Sequence, residues 1–153
     1  MRIRMVRQDD ERTVKAIFSL NHPSKRREDK LKAALACEHP VFVIEEDGGQ
    51  MLGFIIAVDL RERRSYYIQQ IDVLESRRRE RIATRLMKYL HDYLVAGCSA
   101  HVSLCVNPDN KAAIGLYESL GYKLSGFTAG YAKGKDKLWY RISLSDPHTA
   151  IPD

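Results

Sequence analysis

The pattern of apolar and polar residues predicts a strand and then two helices at the start of the chain. Residues 3–7 alternate between apolar and charged side chains, as the two faces of a strand do. Apolar residues then recur with helical spacing, which indicates one buried face. We expect the first helix to run from an N-cap at Asp9 to about Leu20. The second would begin at a Ser24 cap and end before Pro40.

Three successive strands are predicted for the next part of the chain. The apolar run 41–44 is followed by a strong turn signal at Asp47-Gly48-Gly49, and residues 52–60 would return as its partner strand. A charged turn over 61–64 then leads into a further strand over 66–74. Together these segments predict an antiparallel meander.

Helices and strands alternate in the rest of the sequence. A helix is expected over 78–95, a strand over 102–106 and a helix over 111–120, before a final hairpin of 122–131 with 138–144. The order is β-α-α-β-β-β-α-β-α-β-β. Its central strand–helix–strand unit suits a parallel crossover. We therefore predict the α/β class, with a mixed sheet flanked by helices.

Length and composition predict one domain. The 153 residues suit a single domain, which we place at 1–145, followed by a disordered tail over 146–153. No apolar run is long enough for a membrane span and the N-terminus lacks a secretory signal, so we expect a cytoplasmic protein. The three cysteines form no Cys-x-x-Cys pair and the five histidines lack ligand spacing, so neither a disulfide framework nor a metal site is expected.

The net charge favours an anionic partner. A formal charge of +5 and a pI near 9.2 would attract nucleic acid, a membrane surface or a phosphorylated ligand. Basic residues concentrate in the runs 25–27, 61–64 and 77–81, and most aromatic residues lie outside them. Because no interleaved basic and aromatic surface is visible, nucleic-acid binding is not favoured. The sequence leaves open whether the chain is a monomer or a homodimer.

The segment Val73–Ala83 joins a predicted buried strand to a helix and is rich in arginine. Backbone N–H groups at a helix N-terminus lack intrahelical acceptors, and the helix dipole is positive there, so such a turn can hold a phosphate. An arginine run on its own is more often a solvated face. This segment therefore needs a second observation before it indicates a ligand.

The turn resembles the pyrophosphate loop of the GNAT acetyltransferases, which carries Arg/Gln-x-x-Gly-x-Gly/Ala. Arg78 matches the first position and Ala83 the last, whereas Arg81 stands where the family usually has glycine. The resemblance implies acetyl-coenzyme A as co-substrate, with its pyrophosphate bound by Arg78, Arg79, Glu80, Arg81, Ile82 and Ala83. Because glycine lets the backbone approach a phosphate closely, we expect Arg81 to alter the affinity for the coenzyme.

A second segment, Asn110–Tyr122, resembles the family's Asn-x-x-Ala-x-x-Leu-Tyr-x-x-x-Gly-Phe/Tyr. In the family the tyrosine hydroxyl protonates the departing thiolate, so the resemblance implies that Tyr117 is the general acid and places Asn110 at the coenzyme site. A phenol with its ordinary pKa of about 10 is protonated at neutral pH and suits this role. The alternative is that Tyr117 only packs in an amphipathic helix.

The strand before the turn would complete the coenzyme site. By the same resemblance, the backbone of Ile71, Asp72 and Val73 would bond the pantetheine arm and help to polarise the thioester carbonyl. Ile71 and Val73 are expected to be core residues as well. The implied mechanism is direct attack of a neutral amine on the thioester, without an acyl-enzyme.

The acceptor side is implied by shorter matches. Tyr67 falls where relatives place the residue that deprotonates the amine, and with Tyr66 it resembles a strand of protein N-terminal acetyltransferases. Those enzymes also use a histidine on the next strand, where this chain has Cys105. Tyr131 begins a Tyr-x-x-Gly-x-Asp hairpin like the one that closes their acceptor groove.

The acceptor implied by these matches is a primary amine. A peptide N-terminus stands slightly ahead of a lysine or a small amine, and the basic charge does not favour a polycation. Two other functions stay open: a GNAT-fold regulator that binds coenzyme A without turnover, and a nucleic-acid-binding domain that uses residues 77–81.

Overall fold

The computed structural model describes residues 1–23, 25–36, 39–62, 64–98, 101–132 and 134–144. The predicted Ser24 cap and the predicted tail over 146–153 lie outside these residues. The described residues contain four α-helices: α1 Glu11–Asn21, α2 Lys25–Ala36, α3 Ile82–Ala96 and α4 Lys111–Ser119. The seven strands are β1 Arg2–Met5, β2 Val41–Glu45, β3 Met51–Asp59, β4 Ser65–Val73, β5 His101–Val106, β6 Lys123–Ala132 and β7 Lys135–Ser143.

The strands form a mixed sheet in the order β1-β2-β3-β4-β5-β7-β6. β2 is antiparallel to both β1 and β3, and β7 is antiparallel to both β5 and β6. β4 and β5 are parallel, with Tyr66 opposite Val102 and Tyr67 opposite Ser103. The predicted element order, the parallel crossover and the α/β class with a mixed sheet are therefore confirmed.

The chain divides into two compact units, each described here by itself. The first unit contains Met1–Asp59 and Ile68–Leu90, and the second contains Leu60–Tyr67 and the chain from His91 onward. In the first unit, α1 and α2 pack on one face of β2 and β3 through a buried cluster of Val14, Ile17, Phe18, Leu31, Ala34, Val41, Val43, Met51, Phe54 and Ile56. These include the apolar positions whose spacing predicted α1.

The alternating faces of β2 bury side chains on both sides. Val41 and Val43 join the cluster below α1 and α2, whereas the ring of Phe42 meets Tyr89 of α3 with 5.0 Å between the ring centroids. A strand that is buried on both faces reads as a continuous apolar run rather than an alternating one. This burial explains why residues 41–44 show no polar positions.

The start of the first helix differs from the prediction. Asp9 lies within a short 3-10 turn, Gln8–Asp10, and α1 begins at Glu11, so the predicted cap at Asp9 is wrong. Asp10 occupies the N-cap position of α1 without a side-chain bond to the helix, because its carboxylate accepts from the backbone N–H of Arg7 at 2.7 Å and from the Arg4 guanidinium at 2.7 and 2.9 Å. The sequence alone does not show which of the two adjacent aspartates occupies the N-cap position.

Candidate functional site

The turn between β4 and α3 has a left-handed backbone at two arginines. After β4 ends at Val73, the chain makes one 3-10 turn and then becomes extended at Arg78. Arg79 has φ 69° and Arg81 has φ 58°, and α3 begins only at Ile82. The predicted helix start at Arg78 is therefore wrong, since left-handed residues cannot continue a right-handed helix.

This geometry gives a second physical reason for the glycine that the family pattern has at position 81. A left-handed residue with a Cβ is strained, whereas glycine adopts the same φ without that penalty. The first helical hydrogen bond runs from the N–H of Arg85 to the carbonyl of Arg81 at 3.0 Å. The N–H groups just before Arg85 therefore lie at the orphan end of the helix, where an anion is favoured.

The arginines of the turn have different partners. Arg77 donates to both carboxylate oxygens of Glu80 at 2.9 Å and also to Glu46. The Arg77 hydrogen bond holds the pKa of Glu80 below its usual value. Arg77 and Glu80 thus form an ion pair that stabilises the turn. Both carboxylate oxygens of Glu80 already accept hydrogen bonds from Arg77.

The other arginines keep their charge available. Arg78 is exposed and donates to the side-chain oxygen of Asn21 at 3.0 Å. Arg79 and Arg81 are exposed and make no ion pair or side-chain hydrogen bond within the ranges of the chain that the structure describes. The turn therefore combines uncompensated positive charge with a helix N-terminus.

A buried carboxylate lies at the end of β4. Asp72 is only 6% exposed. Its Oδ1 lies 3.0 Å from Nε2 of His22 and accepts from the Asn21 amide at 3.2 Å, while its Oδ2 accepts from the Gln70 amide at 2.8 Å. Asn21 also donates to the carbonyl of Val73 at 3.3 Å. The sequence assigns only the backbone of Asp72 to the site and predicts the end of the first helix at about Leu20, with no role for Asn21 or His22.

Gly53 of β3 allows the end of β4 to pack closely against its neighbouring strand. A Cβ added to Gly53 of β3 would lie 2.6 Å from the carbonyl oxygen of Asp72 and 3.3 Å from the Cα of Val73. Real Cβ atoms do not approach a backbone oxygen that closely. Gly53 therefore permits the close packing that holds Asp72 and Val73 in place.

The position of Tyr117 is set by both ends of α4. The side chain of Asn110 caps the helix by accepting from the N–H of Ala113 at 3.2 Å. At the other end, Gly121 has φ 92°, and the N–H groups of Gly121 and Tyr122 donate to the carbonyls of Glu118 and Tyr117 at 3.1 and 3.0 Å. This is the Schellman pattern of helix termination. The glycine and the aromatic residue at the end of the sequence motif thus have a structural role.

The ring of Tyr117 is buried against a second tyrosine. Tyr117 is 7% exposed, and its ring centroid lies 6.0 Å from that of Tyr122. The Tyr122 hydroxyl in turn lies 2.7 Å from Nε2 of His91, whose pKa burial lowers to about 4. A neutral His91 therefore fixes the ring behind Tyr117. The sequence gave no reason to single out His91.

Three aromatic residues and a cysteine come together in the second unit. The hydroxyl of Tyr67 lies 3.1 Å from the sulfur of Cys105, and the indole of Trp139 has ring centroids 6.2 Å from Tyr67 and 5.6 Å from Tyr131. Burial, and then the hydrogen bond with Cys105, raise the pKa of Tyr67 far above its ordinary value. Such a phenol keeps its proton, which disfavours Tyr67 as a general base.

Tyr66 does not join this aromatic group. Successive side chains of a strand point to opposite faces, so Tyr66 and Tyr67 lie on different faces of β4. Tyr66 instead lines a shallow cavity of about 250 Å³ with Tyr93, Leu94, Ala96 and Gly97. The structure thus brings Tyr67 and Tyr131 together and leaves Tyr66 apart from them.

The part of the chain that the structure describes contains neither a metal-binding cluster nor a membrane-spanning helix. No group of three or more His, Cys, Asp or Glu side chains lies close enough to hold a metal ion there. None of the helices in those residues is long and apolar enough to cross a bilayer.

Comparison with known families identifies the relatives of this fold. The family model described as the acetyltransferase (GNAT) family matches residues 8–122, which include the arginine turn, Tyr67 and Tyr117. The chain belongs to the GNAT family of acetyltransferases.

Two curated relatives match by sequence. The N-terminal acetyltransferase complex ARD1 subunit homolog of Dictyostelium discoideum is 34% identical over 109 residues, covering 69% of this chain and 54% of that protein. The chain therefore spans about half the length of this relative. An acetyltransferase of Pectobacterium atrosepticum is 30% identical over 127 residues, covering 80% of this chain and 88% of that protein.

A solved structure supports the GNAT fold independently. An aminoglycoside 6'-N-acetyltransferase complexed with coenzyme A superposes with a TM-score of 0.84 over 100% of both chains, at 17% sequence identity. The predicted family and fold are thus confirmed, and the matching family model is one of acetyltransferases. The acceptor and the roles of individual residues stay predictions.

Proposed function

We propose that this GNAT chain transfers the acetyl group of acetyl-coenzyme A to a primary amine, with a peptide N-terminus as the first candidate. The observation that carries the proposal is the turn before α3, where Arg79 and Arg81 are exposed, have no partner among the described residues and lie beside a helix N-terminus. Such a site suits a pyrophosphate, because the backbone donors and the positive charges act on the same anion.

The residues of the turn would bind the coenzyme in different ways. Arg78, Arg79 and Arg81 would supply charge, and the N–H groups of Ile82 and Ala83 would bond the pyrophosphate. Glu80 acts indirectly, by pairing with Arg77 and bracing the turn. Asn110 likewise acts indirectly, as the cap that positions α4. The backbone of Ile71, Asp72 and Val73 would hydrogen-bond the pantetheine arm.

Tyr117 would supply the proton for the leaving group. The neutral amine nitrogen forms a bond to the carbonyl carbon, the carbon–sulfur bond breaks, and the phenol of Tyr117 protonates the departing thiolate. The proton that the acylated nitrogen loses then restores the phenol of Tyr117, directly or through water. Its backbone is held by the Schellman turn and its ring by Tyr122, so the hydroxyl has little freedom. Holding both reactants in line supplies much of the acceleration in such direct transfers.

The aromatic group of Tyr67, Tyr131 and Trp139 would receive the acceptor. With its proton retained, the hydroxyl of Tyr67 would position the amine as a hydrogen-bonding group rather than remove its proton. A peptide N-terminus is favoured because the Dictyostelium relative is named as a homolog of an N-terminal acetyltransferase subunit. A lysine side chain and a small amine are the alternatives. A cytoplasmic location and a monomeric or homodimeric state also stay predictions.

The proposal is tested by offering the protein acetyl-coenzyme A with three matched acceptors. The first is a lysine-free peptide with a free N-terminus, the second is the same peptide with a blocked N-terminus and one lysine, and the third is a small primary amine. Mass spectrometry of the acceptors and thiol release measure transfer. Acetylation of the first alone supports the peptide N-terminus, and acetylation of the second or third assigns the acceptor to that class.

Two outcomes would replace the proposal. Coenzyme binding without acetylation of any acceptor would indicate a regulator that uses the fold without turnover. Salt-sensitive binding of nucleic acid, lost when Arg79 and Arg81 are neutralised and unaffected by acetyl-coenzyme A, would indicate a nucleic-acid-binding domain.

A further inference from the structure

A row of four paired residues crosses the sheet of the second unit from Tyr67 to the edge strand β6. Tyr67 of β4 lies opposite Ser103 of β5, Ser103 lies opposite Arg141 of β7, and Arg141 lies opposite Lys123 of β6. Residues that are directly opposite in neighbouring strands point to the same face of a sheet. The phenol of Tyr67 and the two basic side chains therefore share one face.

Arg141 and Lys123 bring two positive charges together on this face. Both side chains are exposed, and neither forms an ion pair or a side-chain hydrogen bond with the residues that the structure describes. Like charges that are directly opposite on neighbouring strands destabilise a sheet. The positions that β5 and β7 contribute to this face include no carboxylate: they are His101, Ser103, Cys105, Trp139, Arg141 and Ser143. A bound anion would therefore relieve a repulsion between the two side chains.

A shallow cavity of about 370 Å³ opens beside the two basic side chains. It is lined by His101, Lys123, Leu124, Ser125, Arg141 and Ser143. The Ser125 hydroxyl donates to the carbonyl of Trp139 at 3.2 Å, so this part of the lining is tied to β7. A guanidinium can donate two parallel hydrogen bonds to one carboxylate, and a lysine adds a second positive charge. The cavity thus suits the carboxylate of an acidic side chain.

Only small side chains lie between the aromatic group and the basic pair. Ser103 separates Tyr67 from Arg141 in the row. In the next row, Trp139 lies opposite Gly126, where an added Cβ would already lie 3.8 Å from the Trp139 side chain. An extended chain can therefore lie across the strands from the aromatic group to the basic pair.

The spacing of the strands determines which acceptor residue would meet the basic pair. Neighbouring strands lie about 4.8 Å apart, so the backbone of Arg141 is about 10 Å from that of Tyr67 and the backbone of Lys123 about 14 Å. An extended peptide advances about 3.4 Å per residue. With its amino group at Tyr67, and allowing for the reach of the side chains, its third to fifth residues would face Arg141 and Lys123.

We propose that Arg141 and Lys123 form a specificity subsite that selects acceptor peptides with acidic side chains at their third to fifth residues. This inference rests on the proposed function, in which the peptide N-terminus lies at the aromatic group of Tyr67, Tyr131 and Trp139. An acidic side chain of the peptide would accept hydrogen bonds from Arg141, with Lys123 as the second cation. The subsite lies away from the reacting atoms, so it should lower KM and leave kcat unchanged.

The test compares lysine-free peptides that have the same length and a free N-terminus. They carry glutamate, glutamine or arginine at the third to fifth residues, and a fourth peptide carries the three glutamates near its C-terminus instead. Exposed ion pairs are individually weak, so for two of them we expect kcat/KM to be about 5–10-fold higher with the first peptide than with the glutamine peptide. This ratio should fall as salt is added. The fourth peptide should behave like the glutamine peptide.

Variants of the basic pair should change this ratio. Arg141→Gln together with Lys123→Gln should bring it close to one, and Arg141→Glu together with Lys123→Glu should reverse the preference toward the arginine peptide. The matched control for the single Arg141→Gln change is Arg12→Gln. Arg12 is exposed in the first unit and makes no ion pair or side-chain hydrogen bond with the described residues. Its replacement removes the same charge and should leave the ratio at the wild-type value.

Failure of this inference can be distinguished from failure of the proposed function. If the wild type acetylates none of the peptides, both are wrong. If it acetylates the glutamate and glutamine peptides equally, or if the ratio persists in the double glutamine variant, only the subsite is wrong. An equal gain from glutamates near the C-terminus would indicate unspecific attraction and overturn the subsite. Because both side chains are exposed, the variants should fold, which circular dichroism checks. If Arg141→Gln does not fold, Lys123→Gln carries the same comparison.

Nucleic acid is the other polyanion that a basic pair attracts. A single-stranded oligonucleotide that binds the wild type, loses affinity in the double glutamine variant and leaves the peptide ratio at one would assign the pair to nucleic acid. That result would also overturn the peptide subsite.

Discussion

Arg81 is held at φ 58° just before α3, and replacing it with glycine should stabilise the fold. A left-handed conformation costs a residue with a Cβ about 1–2 kcal/mol. Glycine removes that cost but increases the entropy of the unfolded chain, which offsets about 0.4–1 kcal/mol. Because Arg81 is exposed and makes no side-chain bond within the described residues, little contact energy is lost. The expected net gain is about 0.5–1 kcal/mol.

Thermal unfolding without ligand measures this gain. For a chain of this size, 1 kcal/mol corresponds to about 2–4 °C, so the midpoint of Arg81→Gly should rise by about 1–4 °C. Arg81→Ala loses the same charge but keeps the strain, and should show no comparable rise. Arg78 is already extended, with φ −66° and ψ 155°, so Arg78→Gly should lower the midpoint. A fall in Arg81→Gly, or equal effects of Arg81→Gly and Arg81→Ala, would refute the strain argument.

Three further predictions concern Tyr117, Gly53 and the ion pair of Arg4 with Asp10. Tyr117→Phe should lower kcat about 100-fold or more by thiol release, while isothermal titration shows unchanged coenzyme affinity. Gly53→Ala should lower the free energy of unfolding, measured with urea, by about 1–3 kcal/mol, because its Cβ would overlap the carbonyl of Asp72. An unchanged free energy of unfolding would mean that β4 can shift to accept the added Cβ. The hydrogen bond from Arg4 lowers the pKa of Asp10, so this pairing stabilises the fold above the unfolded pKa of Asp10 and is lost as the pH falls through its lower folded value. Acid should therefore lower the urea midpoint of the wild type more than that of Arg4→Gln.

The regular part of the fold follows from local sequence signals. Apolar spacing predicted α1 and its buried Val14, Ile17 and Phe18, and the strand–helix–strand pattern predicted the parallel pairing of β4 with β5. The start of α3 could not be found in this way. Arginine carries no signal for a left-handed backbone, so the sequence predicts Arg79 and Arg81 within the first turn of the helix.

The site could be predicted only where residues close together in the sequence define it. The turn at 78–83 and the helix of Tyr117 are local motifs, so the sequence alone indicates them as candidate parts of the site. The pairing of His22 with Asp72 joins residues 50 positions apart through the packing of α1 on the sheet, and no local pattern indicates it. The pKa of Tyr67 likewise depends on burial and on Cys105, which lies 38 positions away.

The most direct test of acetyl transfer is mass spectrometry of a lysine-free peptide incubated with the purified protein and acetyl-coenzyme A. We predict one added acetyl group on the free N-terminus, released thiol in equal amount, and no product when the peptide N-terminus is blocked. If no amine in the acceptor panel is acetylated and acetyl-coenzyme A does not raise the unfolding midpoint, the proposed activity is contradicted.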